Sequence, residues 1–439
     1  MKQRYLYLRT FGCQMNVHDS EQMTELLGKS GYEATKDVKK ADLIILNACS
    51  VREKAEQKAH SELGRFKKLK LKKPGLIIGI GGCLAQQLGS KFLKKAPHLD
   101  LVFGTHNIHR LPEMIKYIET TGSRVVETSF RESVKSLGML TLPRNGSVSA
   151  FVTVMQGCNN FCTYCVVPYL RGREESRELQ DIVNEITTLA DHGIKEVTLL
   201  GQNVNSYGMT INDHPDFSTL LKEVDKIGGV ERIRFTTSHP KDLSEDIIRC
   251  FAEVDKLCEH IHLPVQSGSN DVIKRMGRRY TSENYLDKVA RLREVCPDIS
   301  ITSDIIVGFP GETEDDFQKT VDLMGKIRFD GLFSFKYSER EGTAAIKFDN
   351  KVSEDTKRIR LGIVQSLQEK HTLEKNRAFE GNIEEVLVEG ISKNSCDDVM
   401  GRTRSNRIVN FKGDSDIIGK TVSVEITKAY LHSLRGGLI

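Results

Sequence analysis

The chain has 439 residues, 38% hydrophobic and 28% charged, a balance that excludes a mainly disordered protein and leaves room for about three domains. With 64 Lys and Arg against 60 Asp and Glu the net charge is +4, so composition does not announce nucleic-acid binding and any basic surface must be local. No apolar run reaches the roughly 18 residues of a membrane helix and Met1-Lys2-Gln3-Arg4 opens no signal peptide; a cytoplasmic protein with no membrane partner is expected, whose ten cysteines serve metal binding or catalysis rather than disulfides.

Up to Arg110 the pattern is βαβαβ, with strands predicted at Arg4–Thr10, Asp42–Asn47 and Leu76–Ile80. Helical spacing at Asn16–Lys29 and Val51–Leu69 fills the gaps, with Asn16 or Asp19 and Ser50 as caps. From Glu119 to Gly146 the periodicity fades into a polar stretch, ending Leu142-Pro143-Arg144-Asn145-Gly146, that reads as an interdomain connection.

Six strands follow, near Ala150–Met155, Glu196–Leu200, Arg232–Thr236, His260–Val265, Ser300–Val307 and Leu332–Tyr337. Helices at Glu178–His192, Phe217–Ile227, Leu243–Glu253, Ser282–Val295 and Thr313–Ile327 separate them, and a long one at Ser353–Asn376 closes the series. Six βα units are too few for an eight-stranded barrel, so a partial (β/α)6 barrel with ligands at the strands' C-terminal ends is predicted. Beyond Gly381, alternating runs at Ile383–Glu389, Arg407–Phe411 and Thr421–Lys428 predict a small antiparallel β-barrel. The expected fold is therefore α/β. An open parallel βαβ domain spans 1–120, a partial barrel 145–375 and a small β-barrel 376–439.

The sharpest motif is Gln156-Gly157-Cys158-Asn159-Asn160-Phe161-Cys162-Thr163-Tyr164-Cys165, directly after the first strand of the central domain. Three thiolates in CxxxCxxC spacing suit a cubane cluster whose fourth iron has no protein ligand. Zinc, which needs a fourth ligand, and inert buried thiols are the alternatives. Tyr164 could stack on a flat ring. A second set is dispersed: Cys13, Cys49 and Cys83 each fall just beyond the C-terminal end of a predicted strand, and such ends share one edge of a parallel sheet. Isolated cysteines are commonly small buried hydrophobes, but the shared placement, with Gly12, Gly81 and Gly82 allowing close approach of a ligand, favours a second cluster. Cys250, Cys258, Cys296 and Cys396 read as structural.

Other strand ends couple glycine with polar groups: Gly201, Gln202 and Asn203; Gln266 and Ser267; Asp304. They could hold a nucleoside-like cofactor, although ordinary βα turns select the same residue types. Basic runs at Arg52–Lys73 and Lys274-Arg275-Met276-Gly277-Arg278-Arg279 are solvated helix faces or RNA contacts. Arg402, Arg404 and Arg407 in the C-terminal segment are expected to meet RNA phosphates.

On these motifs the whole chain resembles the radical S-adenosylmethionine methylthiotransferases. Cys158, Cys162, Tyr164 and Cys165 match the family's CxxxCxxC with its aromatic, and Cys13, Cys49 and Cys83 match its dispersed cysteines. Thr10-Phe11-Gly12-Cys13-Gln14-Met15-Asn16, Cys49-Ser50-Val51-Arg52-Glu53-Lys54-Ala55, Leu199-Leu200-Gly201-Gln202-Asn203-Val204-Asn205-Ser206-Tyr207-Gly208 and Phe235-Thr236-Thr237-Ser238-His239-Pro240 look like the bacterial branch acting on isopentenyladenosine in tRNA.

The resemblance implies two [4Fe-4S] clusters, S-adenosylmethionine both as radical source and as methyl donor, and an OB-like RNA-binding TRAM domain. It implies methylthiolation at C2 of N6-isopentenyladenosine, position 37 of tRNA, with a reductase or flavodoxin-type electron donor and a monomeric enzyme. A branch acting on threonylcarbamoyladenosine in tRNA or on a ribosomal protein is the alternative within the chemistry. A non-catalytic iron–sulfur RNA-binding protein is the alternative outside it. No side chain carries an acid–base or nucleophilic signature that assigns it a catalytic role.

Overall fold

The computed structural model describes residues 3–50, 53–130, 146–393, 395 and 397–439. Val51 and Arg52, the Leu142-Pro143-Arg144-Asn145 part of the expected connection, and Cys396 lie outside the described residues. The chain divides into two compact units. The first holds Met1–Leu142, Gln156–Cys158 and Val166–Arg177; the second holds Pro143–Met155, Asn159–Cys165 and Glu178–Ile439.

The first unit is built on a six-stranded sheet in the order Tyr32–Ala34, Arg4–Phe11, Leu43–Ala48, Ile77–Gly81, Leu101–Phe103, Val125–Glu127. Every pairing is parallel. Leu43–Ala48 is buried along its whole length because both faces are covered. Ile44, Leu46 and Ala48 pack with Phe66 and Phe92 on one side, while Leu43 and Ile45 pack with Met23, Leu27 and Ile115 on the other. Three short strands escaped the sequence pattern, since three residues carry too little alternation to register. One of them, Val125–Glu127, lies inside the stretch read as an interdomain connection. The order places the chain's reversal between Arg4–Phe11 and Leu43–Ala48, and at such a switch point the loops diverge and leave a crevice at the strands' C-terminal ends.

In the second unit the six predicted strands are present as two parallel three-stranded sheets. Ser149–Thr153, Glu196–Leu200 and Arg232–Phe235 make one; His260–His262, Ser300–Val307 and Gly331–Lys336 make the other. Residues 256–258 bridge them, with Ile233 N–H donating to Lys256 O at 2.7 Å and Cys258 N–H to Ile233 O at 3.0 Å. The first and last strands stay in different sheets, so the barrel is open. Alternate residues (Val197, Leu199, Ile233, Phe235, Ile261, Ile301, Ile305) face the helices and form the core. Helices start where side chains satisfy the orphan amides: Thr281 and Thr313 accept from Asn284 and Asp316 N–H.

The C-terminal part of this unit is a closed five-stranded barrel in the order Ile383–Ile391, Asp398–Thr403, Ile408–Lys412, Leu434–Leu438, Thr421–Ala429. Two of these strands were not predicted, and the Ile408–Lys412 and Leu434–Leu438 pair is parallel where an antiparallel barrel was expected. Their glycines hid them. A Cβ on Gly401 would sit 2.3 Å from Leu387 O and one on Gly436 2.4 Å from Val424 Cγ1, so the residues that weaken the strand signal are those that let so small a barrel close.

Candidate active site

At the switch point Cys13 is the N-cap of helix Gln14–Lys29, ahead of both Asn16 and Asp19, either of which was expected as the cap. The helix N-terminus favours a thiolate there. Cys49 follows its strand directly, and its N–H donates to Phe11 O at 2.7 Å, tying the two strand ends together. Cys83 opens the short helix Cys83–Leu88. A hydrogen bond to Cys49, with help from the Arg171 guanidinium, brings the Cys13 thiol down to about 6 against the opposing effect of burial. Burial pushes the Cys83 thiol up, opposed by the same arginine. All three cysteines are unbridged thiols.

Glycines beside them have a different use from the one expected. A Cβ on Gly12 would lie 2.2 Å from Asn16 Oδ1, one on Gly82 2.2 Å from Asn47 Oδ1, and one on Gly81 2.3 Å from the Phe103 ring. They make room for the protein's own side chains rather than for a ligand. Asn16 and Asn47 lock together there, Asn16 Nδ2 donating to Asn47 Oδ1 at 3.1 Å and Asn47 Nδ2 to Asn16 O at 2.7 Å, so Cys13 and Cys49 sit on a braced corner.

The CxxxCxxC loop contributes to both units. Cys158 N–H donates to Gly172 O at 3.3 Å. Gly157, with φ +80°, lies so close to Arg173 that a Cβ would come within 1.9 Å of its carbonyl oxygen. Further along, Thr163 N–H donates to Met276 O and Thr163 O accepts from Ala345 N–H, at 2.9 and 2.8 Å, while Cys165 N–H turns back to Cys162 O at 2.9 Å. Tyr164 packs edge-on to Phe309, ring centroids 6.5 Å apart, in an apolar cluster with Met276 and Tyr337. Among the described residues no three His, Cys, Asp or Glu side chains converge on a single ion.

At the other strand ends the candidates divide. Gln266 sits at φ +70° with its N–H donating to Asp304 O (2.8 Å) and its O accepting from Ile306 N–H (3.0 Å), a strained residue held from both sides. Its buried Oε1 has no protein partner, and neither has Asn203 Oδ1, although Asn203 Nδ2 donates to Asp242 at 2.7 Å. Buried acceptors left open in this way suit a ligand. Ser267 is turned inward, its Oγ 3.2 Å from Thr320 Oγ1 and accepting from Ser269 N–H, so it supports the turn. Gly201 leaves room for Met155, and Gln202 follows it directly. Asp304 Oδ1 lies 3.5 Å from His262 Nε2 on the inner face of the open barrel.

Several residues had no assigned role in the sequence. Asn205, with both amide atoms unpartnered, Ser238 and His239 add open polar groups at the same strand ends, and Asn205 lines a cleft of about 670 Å³ with Tyr207, Lys241 and Asp242. Burial and the neighbouring Arg278 and Lys241 charges lower the His239 imidazole to about 2. His262 could have been found from strand alternation in His260-Ile261-His262. Arg171 could not, because nothing local marks an arginine as buried.

Two basic features of the sequence point inward. Arg278 lies at the Cys162 sulfur and is buried. Arg404 grips Glu259 at 2.7 Å and the Asp255 and Leu257 carbonyls; Arg407 pairs with Asp330 at 2.6 Å; Arg402 pairs with Glu389 at 3.0 Å. Glu259 and Asp330, each just before an open-barrel strand, and Glu389 within the closed barrel pair with these guanidinium groups inside the protein, where phosphate contacts were expected.

Family models match in three consecutive segments: the uncharacterized protein family UPF0004 over residues 5–104, the radical SAM superfamily over 152–324 and the TRAM domain over 377–439. A tRNA-2-methylthio-N(6)-dimethylallyladenosine synthase of Syntrophus aciditrophicus is 62% identical over 439 residues, covering 100% of this chain and 95% of the relative. One of Geotalea uraniireducens is 53% identical, covering 100% and 99%. Among solved structures, the radical S-adenosylmethionine methyltransferase TsrM of Kitasatospora setae, with cobalamin and a [4Fe-4S] cluster bound, shares the fold at a TM-score of 0.58 and 15% identity, covering 88% of this chain and 77% of that one. With three matching domains in this order and such identity along its whole length, the chain belongs to the tRNA-2-methylthio-N(6)-dimethylallyladenosine synthase family of radical SAM methylthiotransferases.

Proposed function

We propose that this methylthiotransferase holds two four-iron clusters, one on Cys158, Cys162 and Cys165 and one on Cys13, Cys49 and Cys83, and adds sulfur and a methyl group at C2 of isopentenyladenosine 37 in tRNA. Radical SAM membership implies one [4Fe-4S] cluster and S-adenosylmethionine; the family's named substrate is a tRNA nucleoside. The second cluster and the individual ligands are our reading. Its main support is the corner where Cys13 and Cys49 touch through a hydrogen bond that favours the thiolate of Cys13, the form that binds iron. Two sets of three unbridged thiols are donor sets that fit such clusters.

When bound, the clusters and S-adenosylmethionine supply the one-electron and sulfur chemistry that an unactivated aromatic C–H bond requires. The chain's own groups orient them. Gln266 and Asn203 offer buried acceptors for the cofactor's amine or hydroxyls, with Gly201, Gln202 and Asp304 beside them, while Ser267 holds the turn and Tyr164 braces the cysteine loop against Phe309. The closed barrel is the RNA-binding part, acting through surfaces other than Arg402, Arg404 and Arg407. An electron donor of the flavodoxin class serves the enzyme, which acts as a monomer.

The test is iron and sulfide content with electron paramagnetic resonance on anaerobically reconstituted protein, wild type against a Cys158, Cys162, Cys165 triple alanine variant. About eight irons falling to about four supports two clusters. About four falling to none removes Cys13, Cys49 and Cys83 as ligands. Mass spectrometry of isopentenylated tRNA after turnover then checks the product.

A further inference from the structure

Each cysteine set has a buried guanidinium against it, but the two differ in net charge. Arg278 is 5% exposed. Its Nη1 donates to Cys162 Sγ at 3.8 Å, Nη2 to Pro264 O at 2.6 Å and Nε to Tyr280 Oη at 3.1 Å. Tyr280 and Pro264 are neutral, and among the described residues no carboxylate forms an ion pair with Arg278. Arg171 is 4% exposed and interacts with Cys83 and Cys13, but its Nη2 lies 2.6 Å from Asp19 Oδ2, itself 5% exposed. One cation therefore stands alone, and the other is neutralised by a carboxylate equally out of water.

Adding an electron to an iron–sulfur cluster adds one negative charge, and its potential follows the net charge and hydrogen bonds around the sulfurs. An uncompensated cation in a buried site, where water screens little, stabilises the reduced state; a closed ion pair does so far less. We propose that Arg278 and the Arg171–Asp19 pair are positioning residues that set the two clusters apart in potential, so that an incoming electron settles on the Cys158, Cys162, Cys165 cluster rather than on the Cys13, Cys49, Cys83 cluster. The inference rests on the two-cluster reading above. It assigns the sequence's apparent RNA-facing arginine, Arg278, to electron placement. It also gives Asp19, a residue with no catalytic signature, the task of keeping the Cys13, Cys49, Cys83 cluster oxidised.

The experiment is a dithionite titration monitored by electron paramagnetic resonance on full-length protein. Each cluster is observed alone, in a background where the other three cysteines are alanine. Arg278→Gln is expected to reduce the ratio of reduced to oxidised cluster at fixed potential at least tenfold, a downward shift of about 59 mV for one electron. Arg278→Lys should stay within threefold of wild type. Asp19→Asn, which leaves Arg171 uncompensated, is expected to raise that ratio at least tenfold for the other cluster. Midpoints unchanged in Arg278→Gln and Asp19→Asn, with iron content intact, overturn the proposal. If Arg278→Gln fails to hold iron, Asp19→Asn decides alone, because its shift has the opposite sign from that of damage to the site. Absence of iron in one of the alanine backgrounds before any charge is altered overturns the two-cluster reading instead.

Discussion

Arg234 fastens the closed barrel to the open one, and its replacement by methionine shows how strongly. The guanidinium donates to Glu196 Oε2 at 2.8 Å, to Thr403 O at 2.8 Å and to Arg404 O at 2.9 Å, and the Arg234 and Glu196 side chains are 6% and 5% exposed. Methionine fills much of the space but donates nothing, so a buried carboxylate and two carbonyls lose their partner. Breaking a buried ion pair from one side costs about 3–5 kcal/mol. At about 1.4 kcal/mol per factor of ten, amide exchange by local opening of Asp398–Thr403 should quicken by about 140- to 3,700-fold. Hydrogen-exchange mass spectrometry of the intact protein reads this peptide directly. Adding Glu196→Gln removes the stranded charge and should recover about half of the loss. Acceleration below tenfold in Arg234→Met, or a double variant as loose as the single one, would refute this account of the interface.

Three further outcomes follow from the geometry. Gly157→Ala puts a Cβ against Arg173 O at a left-handed backbone position, so iron bound by the cysteine loop should drop from about four to near zero; full iron content would contradict the crowding. Phe411→Ala empties the centre of a small core and should cost about 3–5 kcal/mol, seen as limited-proteolysis cuts between Asn382 and Ile439 while the preceding domain stays intact; resistance equal to wild type would show the core repacks. His239, lowered to about 2 by burial and nearby cations, remains neutral in the fold while the unfolded chain takes up a proton below about 6.5. Stability should therefore be full above that pH and fall on acidification by up to about 1.4 kcal/mol per pH unit for this group. His239→Asn, which keeps an acceptor for Lys241 N–H, should flatten the slope, and an unaltered pH profile would rule out this histidine.

Most elements long enough to show their period were legible in the chain, the 11-residue helix Leu111–Thr121 being an exception. The six strands from Ser149 to Lys336 and the long helix Glu354–Arg377 appear within a few residues of the expected ends, because alternation and helical spacing are local properties of the chain. Both cysteine sets could be picked out as candidates in the same way, since placement after a strand is visible in one dimension. Three-residue strands such as Leu101–Phe103 and the glycine-bearing strands Asp398–Thr403 and Leu434–Leu438 were decided by their neighbours, whose backbone partners and close approach substitute for a propensity the residues lack.

Which way the charged side chains point depends on contacts that form only in the folded chain. Arg278, Arg402, Arg404 and Arg407 read as solvent-facing or RNA-facing cations, yet each meets a sulfur or a carboxylate inside its own unit. Asp19 was read as a helix cap and instead neutralises Arg171, 152 residues further along the chain. The physical reason is range. A backbone pattern is set by neighbours a few residues away, whereas burying a charge requires a partner that only the folded chain can bring, and no spacing in the sequence records which partner that is.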